Sequence, residues 1–234
     1  MIIHKLIAHH LKHKDDPSFY TMQADDAIRW IEVSGGKVGP GVRALDLGCG
    51  HGIFGAQLRK KGCHVTFSDE FNYLDPTLKN EEFKPLDLEK ENIDKWGKFD
   101  LIICSNVLEH LSDPNRLLRM IPDALEPSGT FFLSWTNWLS PWGGHEFSPY
   151  HYLGTHRGHL VFDKIKKVKR LHTPYVNLFP TYIGDILKTI RKDPRLKVIA
   201  AAPRYYPEFS LLLKIPILRE FFTWNCALLI QKAA

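Results

Sequence analysis

Three glycines alternate through Gly48-Cys49-Gly50-His51-Gly52, directly after the apolar run Val42 to Leu47 with its single acid, Asp46. Helix-compatible residues follow, through Gln57-Leu58-Arg59-Lys60. Strand, glycine loop and helix form the unit that brings a ligand against bare backbone at a helix N-terminus. A dinucleotide fingerprint would need a third glycine where Ile53 stands, and a phosphate-cradling loop would need Gly-Lys-Ser/Thr, which is missing. A carboxylate at position 46 repels a pyrophosphate and suits a ligand carrying an ammonium group. Asp69 ends the next apolar run, about 20 positions after Gly48, where nucleoside-binding folds place the acid that receives ribose hydroxyls. A carboxylate accepts two hydrogen bonds from a cis diol at once, and Glu70 stands ready to share the task.

A second chemical group lies in Gly143-Gly144-His145-Glu146. Histidine has the intrinsic pKa of a base near neutrality, so His145 and Glu146 are the candidate catalytic pair. The two glycines would let the segment move over a substrate. His151 and Tyr150 are reserves. Trp138, Trp142, Tyr150 and Tyr152 could form an aromatic wall for a sugar, ring or lipid, so Trp138, Trp142, Tyr150 and His151 are the candidate acceptor contacts. The histidines at 4, 9, 10 and 13 have no acidic or cysteine partner within their own helix and read as solvated.

The stretch Leu45-Asp46-Leu47-Gly48-Cys49-Gly50-His51-Gly52 closely resembles motif I of the class I S-adenosylmethionine-dependent methyltransferases. The run Phe99 to Asn106 with Val107-Leu108-Glu109-His110-Leu111 resembles their motif IV. The resemblance covers residues 42–135 by motif. It implies S-adenosylmethionine as cofactor, S-adenosylhomocysteine as product, and a cofactor site of Asp46, Gly48, Cys49, Gly50, Gly52, Asp69, Glu70, Asp87, Leu88, Asn106, Val107 and His110. Asp87 matches the acid that meets the adenine amino group, with Leu88 on the ring. Some members hold a divalent ion on a Glu-His pair after strand four, which Glu109-His110 matches and His145 could join. Asn106 stands where a further glutamate would help, so no metal is expected. A weaker resemblance, of Pro141 to Glu146 and His151 to Gly154, is to a loop in bacterial methyltransferases linked to cell-envelope glycoconjugates. It inclines the reading towards O-methylation of a small molecule, glycan or lipid-linked sugar. The alternatives are an RNA methyltransferase and an inactive S-adenosylmethionine-binding regulatory subunit.

The elements that must position these groups follow from periodicity. Apolar positions Ile2, Ile3, Leu6, Ile7 and Leu11 give a basic amphipathic helix over 1–14, suited to docking on the domain or to a membrane surface. Asp15-Asp16-Pro17 breaks it, and a second helix spans Met22 to Val33. Strands are expected at 42–47, 63–68, 83–88, 99–106, 131–135, 196–201 and 223–231, and helices after Asp113-Pro114 and over 181–191. The expected fold is α/β, a Rossmann-like three-layer sandwich. Its seven-stranded sheet is mostly parallel, with the last strand antiparallel as the resemblance implies, and carries an insertion after strand five. One domain fills 1–234, with the helices of 1–41 over the cofactor side and 137–180 as a substrate-binding insertion.

At 234 residues the chain can bury a large single core, and 44% hydrophobic with 24% charged residues is the balance of a globular protein. The net charge of +5 does not demand an acidic partner. The one dense basic run, Lys164 to Arg170, has no accompanying nucleic-acid module, and nucleic acid is not expected as a partner. Cys49, Cys63, Cys104 and Cys226 have no C-x-x-C spacing and read as reduced thiols, which with the lack of a signal-peptide pattern points to the cytoplasm. No apolar run reaches the ~20 residues of a membrane span.

Overall fold

The computed structural model describes residues 1–14 and 16–233. The sheet is built on β1 (Arg43–Leu47), whose last four residues are buried. Beside it lie β2 (His64–Asp69), β3 (Phe83–Pro85), β4 (Phe99–Ser105), β5 (Leu125–Thr136), β6 (Leu196–Pro203) and β7 (Asn225–Lys232). The order is β3-β2-β1-β4-β5-β7-β6. β1 to β5 run parallel, and β7 lies antiparallel between β5 and β6. This is the mixed seven-stranded Rossmann-like sheet read from the sequence. β4 is almost continuously apolar because both of its faces are covered.

Each face has its own core. On one, Ala24, Ala27, Ile28 and Ile31 of α2 (Pro17–Val33) and Phe54 and Leu58 of α3 (Ile53–Lys60) pack on Phe67, Leu101, Ile103 and Phe132. On the other, α4 (Pro114–Ala124) and α6 (Ile183–Lys192) bury Leu117, Leu118, Ile121, Ile183, Ile186 and Ile190 against Ile102, Leu133 and Leu228. The amphipathic α1 (Ile3–His13) buries only Leu6.

Several boundaries differ from expectation for local reasons. α2 begins at Pro17, five residues before the expected Met22. Asp16 accepts a hydrogen bond from the Phe19 N–H and Pro17 takes the first turn, so the supposed helix breaker is also a helix start. The sequence between Pro207 and Phe222, for which no element was expected, coils into a 3-10 segment and α7 (Pro216–Phe222). Within the insertion, α5 (Gly158–Lys166) had no expected counterpart. Lys167 ends it in the left-handed region, and Arg170 folds back onto Asp163 (Nε–Oδ1 2.6 Å) and over the Phe147 ring. The last charge of the basic run is therefore spent inside the fold. Among the described residues no helix is long and apolar enough to cross a membrane.

Candidate active site

The glycine loop joins β1 to α3 at the C-terminal edge of the sheet. Gly48, Gly50 and Gly52 all have positive φ, which is why glycine recurs at every second position. A Cβ on Gly52 would lie 2.6 Å from Leu74 and 2.8 Å from Leu78, and one on Gly48 would overlap Val107. A Cβ on Gly50 would meet nothing within 4 Å. Gly52→Ala should therefore damage folding, by about 2–4 kcal/mol from backbone strain and overpacking together. Gly50→Ala should cost only about 1–2 kcal/mol of stability yet fill the open space above the loop. Thermal melts and titration with S-adenosylhomocysteine separate the two: Gly50→Ala should lose binding with its melting point nearly kept.

The loop spends its own donors. The Gly48 and Cys49 N–H groups both reach the Ser68 carbonyl, at 2.8 and 3.0 Å. Gly50 N–H donates to Asp69 Oδ2 at 2.8 Å, Gly52 N–H to the Cys49 carbonyl at 2.8 Å, and Gly55 N–H to Asp46 Oδ2 at 2.7 Å. A phosphate would find none of these N–H groups available. Beside the loop lies a groove of about 800 Å³. Asp46, Gly48, Cys49 and Asn106 line it, with Pro17, Tyr20, Gln23 and Ala24 of α2 and with Arg204. Asp46 is 3% exposed, and burial pushes its carboxyl up to about 7. An ammonium arriving beside it would restore the ionised form. Burial and the two neighbouring acids keep the Cys49 thiol protonated. The groove thus fits a nucleoside ligand with a positive charge and no phosphate.

The other expected cofactor residues sit as follows. Asp69 accepts from Gly50 and, through Oδ1, from the Glu70 N–H at 2.8 Å, which leaves acceptor capacity on both oxygens. The Glu70 side chain is exposed. Asp87 is held in its turn by the Glu89 N–H and by Lys90 Nζ at 2.6 Å. Leu88 packs against the core on the α4 side, not towards the loop. Asn106, at φ 58°, joins β4 to β7 by accepting from Asn225 Nδ2 at 2.7 Å. His110 does not join the groove lining. It faces His145 and His172, with ring centroids 5.5 and 5.3 Å away.

The insertion is where the expectations diverge most from the structure. His145 is half-buried, and burial with the His172 and His110 rings beside it lowers its pKa to about 4. Glu146 does not face a substrate: it accepts from the Leu171 and His172 N–H groups (2.6 and 2.7 Å) and touches His172 Nδ1 at 2.6 Å. Neither residue lines the groove or the apolar cavity described next. The glycine pair gives close packing, not a hinge. A Cβ on Gly143 would overlap the Trp138 carbonyl, and one on Gly144 would lie 2.7 Å from His151 Cβ. Trp138 belongs to the insertion's own small core with Phe147, Phe162 and Leu178, and Tyr150 packs on Phe162. His151 is 1% exposed, with Nε2 3.0 Å from the Ser140 carbonyl. Of the four candidate acceptor contacts, Trp142 lines that apolar cavity, its ring tilted 49° to that of Trp224 with centroids 4.2 Å apart.

That cavity holds about 480 Å³ and is mainly apolar. α1 supplies Ile3, Leu6, Ile7 and Leu11, and Phe19, Trp142 and Trp224 complete the walls. Gln23 lines both the cavity and the groove. Arg204, missed in the sequence, lines the groove beside Gln23, while the next residue, Tyr205, lines the cavity. Arg204 is 5% exposed and donates to Ser105 Oγ (2.9 Å) and Ser134 Oγ (3.1 Å), with Phe132 and Tyr205 rings flanking it. Its Nε has no partner among the described residues, and no carboxylate there forms an ion pair with it.

A family model described as a methyltransferase domain matches residues 14–171. The chain belongs to that family. It is similar to an uncharacterized methyltransferase of Mycobacterium sp. (strain JLS), 31% identical over 93% of this chain and 89% of the relative. Its fold is similar to an S-adenosylmethionine-dependent methyltransferase from Mesorhizobium loti (TM-score 0.58, 19% identity, 88% of this chain and 98% of that one). It also resembles magnesium protoporphyrin IX methyltransferase from Synechocystis PCC 6803, solved with bound S-adenosylhomocysteine (TM-score 0.55, 16% identity, 92% of this chain and 84% of that one). The sheet order and the structural likenesses give this methyltransferase the class I fold.

Proposed function

We propose that this methyltransferase uses S-adenosylmethionine to methylate an ionised oxygen on a small molecule with an apolar body. The observation that carries the reading is Arg204, a buried guanidinium that lines the groove with no carboxylate within ion-pair distance among the described residues, next in the chain to Tyr205 of the apolar cavity. When bound, S-adenosylmethionine supplies an electrophilic methyl group. Asp46, the glycine loop, Asp69 and Asn106 would hold it. A buried cation stabilises an acceptor oxygen in its ionised form, which removes the need for a side-chain base. His145 and Glu146, engaged elsewhere, are then not required for proton removal. The Arg204 fork orients the oxygen, while α1 and the Trp142–Trp224 pair offer the acceptor body an apolar surface. Among the acceptors expected from sequence, the cavity walls favour a lipid-like or aromatic molecule over a bare glycan.

The test is transfer of labelled methyl to a panel of fatty acids, aromatic acids, phenols, glycans and RNA. Label should enter an apolar acid or phenol. Arg204→Met should lower kcat/KM by about 100-fold, the worth of a lost charge-assisted contact, with S-adenosylhomocysteine affinity kept. Label entering only glycan or RNA, or cofactor binding with no transfer to any acceptor, would overturn the reading.

A further inference from the structure

His110, His145 and His172 come from three separate segments: the turn after β4, the start of the insertion, and the loop beyond α5. Their rings converge, with centroids 4.6 Å apart for His145 and His172 and at most 5.5 Å apart for the other pairs. One ring nitrogen from each lies within 4.8 Å of the other two. Three imidazoles gathered in a half-buried position need a reason, because bringing them together costs side-chain entropy and desolvates their polar atoms.

The far side of the cluster supplies one. His110 Nδ1 lies 2.7 Å from the Asn177 carbonyl, and His172 Nδ1 lies 2.6 Å from Glu146 Oε2. A carbonyl and a carboxylate only accept, so the network assigns the proton to each Nδ1 and leaves each Nε2 as a lone pair. Carbonyl or carboxylate contacts of this kind orient histidines that bind metal. Glu146 also fixes the backbone that carries His172. His145 is held at φ 50°, and its buried Nδ1 has no partner among the described residues.

The geometry points to a divalent transition-metal site of three histidines, zinc by preference, that ties the insertion to the turn after β4. Neutral imidazole suits zinc, and three protein ligands leave one position for water or another oxygen. Zn–N bonds in a tetrahedral site set nitrogens about 3.3 Å apart, so modest side-chain rotation closes the cluster on the ion. Glu109 is not a ligand. It is 1% exposed and turned inward, with Oε1 accepting from the Thr136 N–H at 2.9 Å. The inference is independent of the acceptor proposed above.

Full-length protein stripped with chelator is titrated with Zn²⁺ by calorimetry and with Co²⁺ by visible absorption. One equivalent should bind, Co²⁺ should give the intense band of a tetrahedral site, and Zn²⁺ should raise the melting temperature. His172→Ala should abolish the band. Glu146→Gln, which keeps all three ligands, should weaken binding by about 10–100-fold. The His9→Ala/His13→Ala variant, which alters the separate histidine pair on α1, should bind as wild type does. Absence of the Co²⁺ band in the wild type would overturn the site whatever the variants do. So would a band that persists in His172→Ala or disappears in His9→Ala/His13→Ala.

Discussion

Asp69→Ala should lower affinity for S-adenosylhomocysteine by about 100-fold or more, since charge-assisted hydrogen bonds are each worth about 1.5–3 kcal/mol and every 1.4 kcal/mol is tenfold. Two effects combine. The carboxylate anchors the glycine loop through the Gly50 N–H at 2.8 Å, and its remaining lone pairs are the acceptors proposed for the ribose diol. Removing it leaves a loop donor unpaired and takes away the diol's partner. Isothermal titration, with a thermal melt to check folding, measures the loss. Affinity within about threefold of wild type, less than 0.7 kcal/mol, would show that Asp69 serves the loop alone. Asp87→Ala should cost less, because Lys90 and the Glu89 N–H already occupy that side chain.

Asp46→Asn should move stability and binding in opposite directions. Burial raises the folded pKa of Asp46 from 3.8 to about 7. A carboxyl with a raised folded pKa stabilises the fold less and less as pH climbs from its unfolded pKa to its folded one. At pH near 4 the carboxyl is neutral in the fold and the substitution should be silent. Above pH 7 the fold must bury a charge, and the neutral amide, which still accepts from Gly55, relieves that cost. The cofactor-free melting temperature of Asp46→Asn should therefore exceed wild type at pH 8, by about 4 °C or more. Its affinity for S-adenosylhomocysteine should fall by about tenfold or more, because the ammonium loses its counter-charge. In the wild type that affinity should weaken as pH drops from 8 to 6, whereas in the variant the dependence should flatten. A variant that binds as tightly as wild type at pH 8 would remove the ammonium contact from the site.

The glycine-loop half of the fold was legible because its signals are local. The buried strand, the acid and three alternating glycines are adjacent in the chain, and left-handed backbone leaves few residue choices. The parallel sheet followed from the βα repeat, and the antiparallel β7 from the resemblance. The acceptor half was not legible in the same way. Gly143-Gly144-His145-Glu146 looked like a moving catalytic loop, yet close backbone approach explains its glycines and a network with residues 171–172 occupies its acid. His172 gave no motif, since its partners are brought to it only by tertiary folding. Arg204 sits in a Pro-punctuated link whose composition does not distinguish a buried guanidinium from a solvated one. α2 began early because Asp-Pro serves equally to stop one helix and to start another.

α1 contributes five side chains to the cavity, four of them apolar, but buries only Leu6 in the domain. The two halves of the reaction are thus subject to unequal constraint. Changes to the glycine loop disturb the sheet on which every other element rests, so the donor site resists drift. Changes to α1 alter the shape and greasiness of the proposed acceptor chamber at little expense to folding. Lineages that share this scaffold can therefore exchange one acceptor for another by revising a single short amphipathic segment, and acceptor preference should diverge among relatives faster than anything else in the protein.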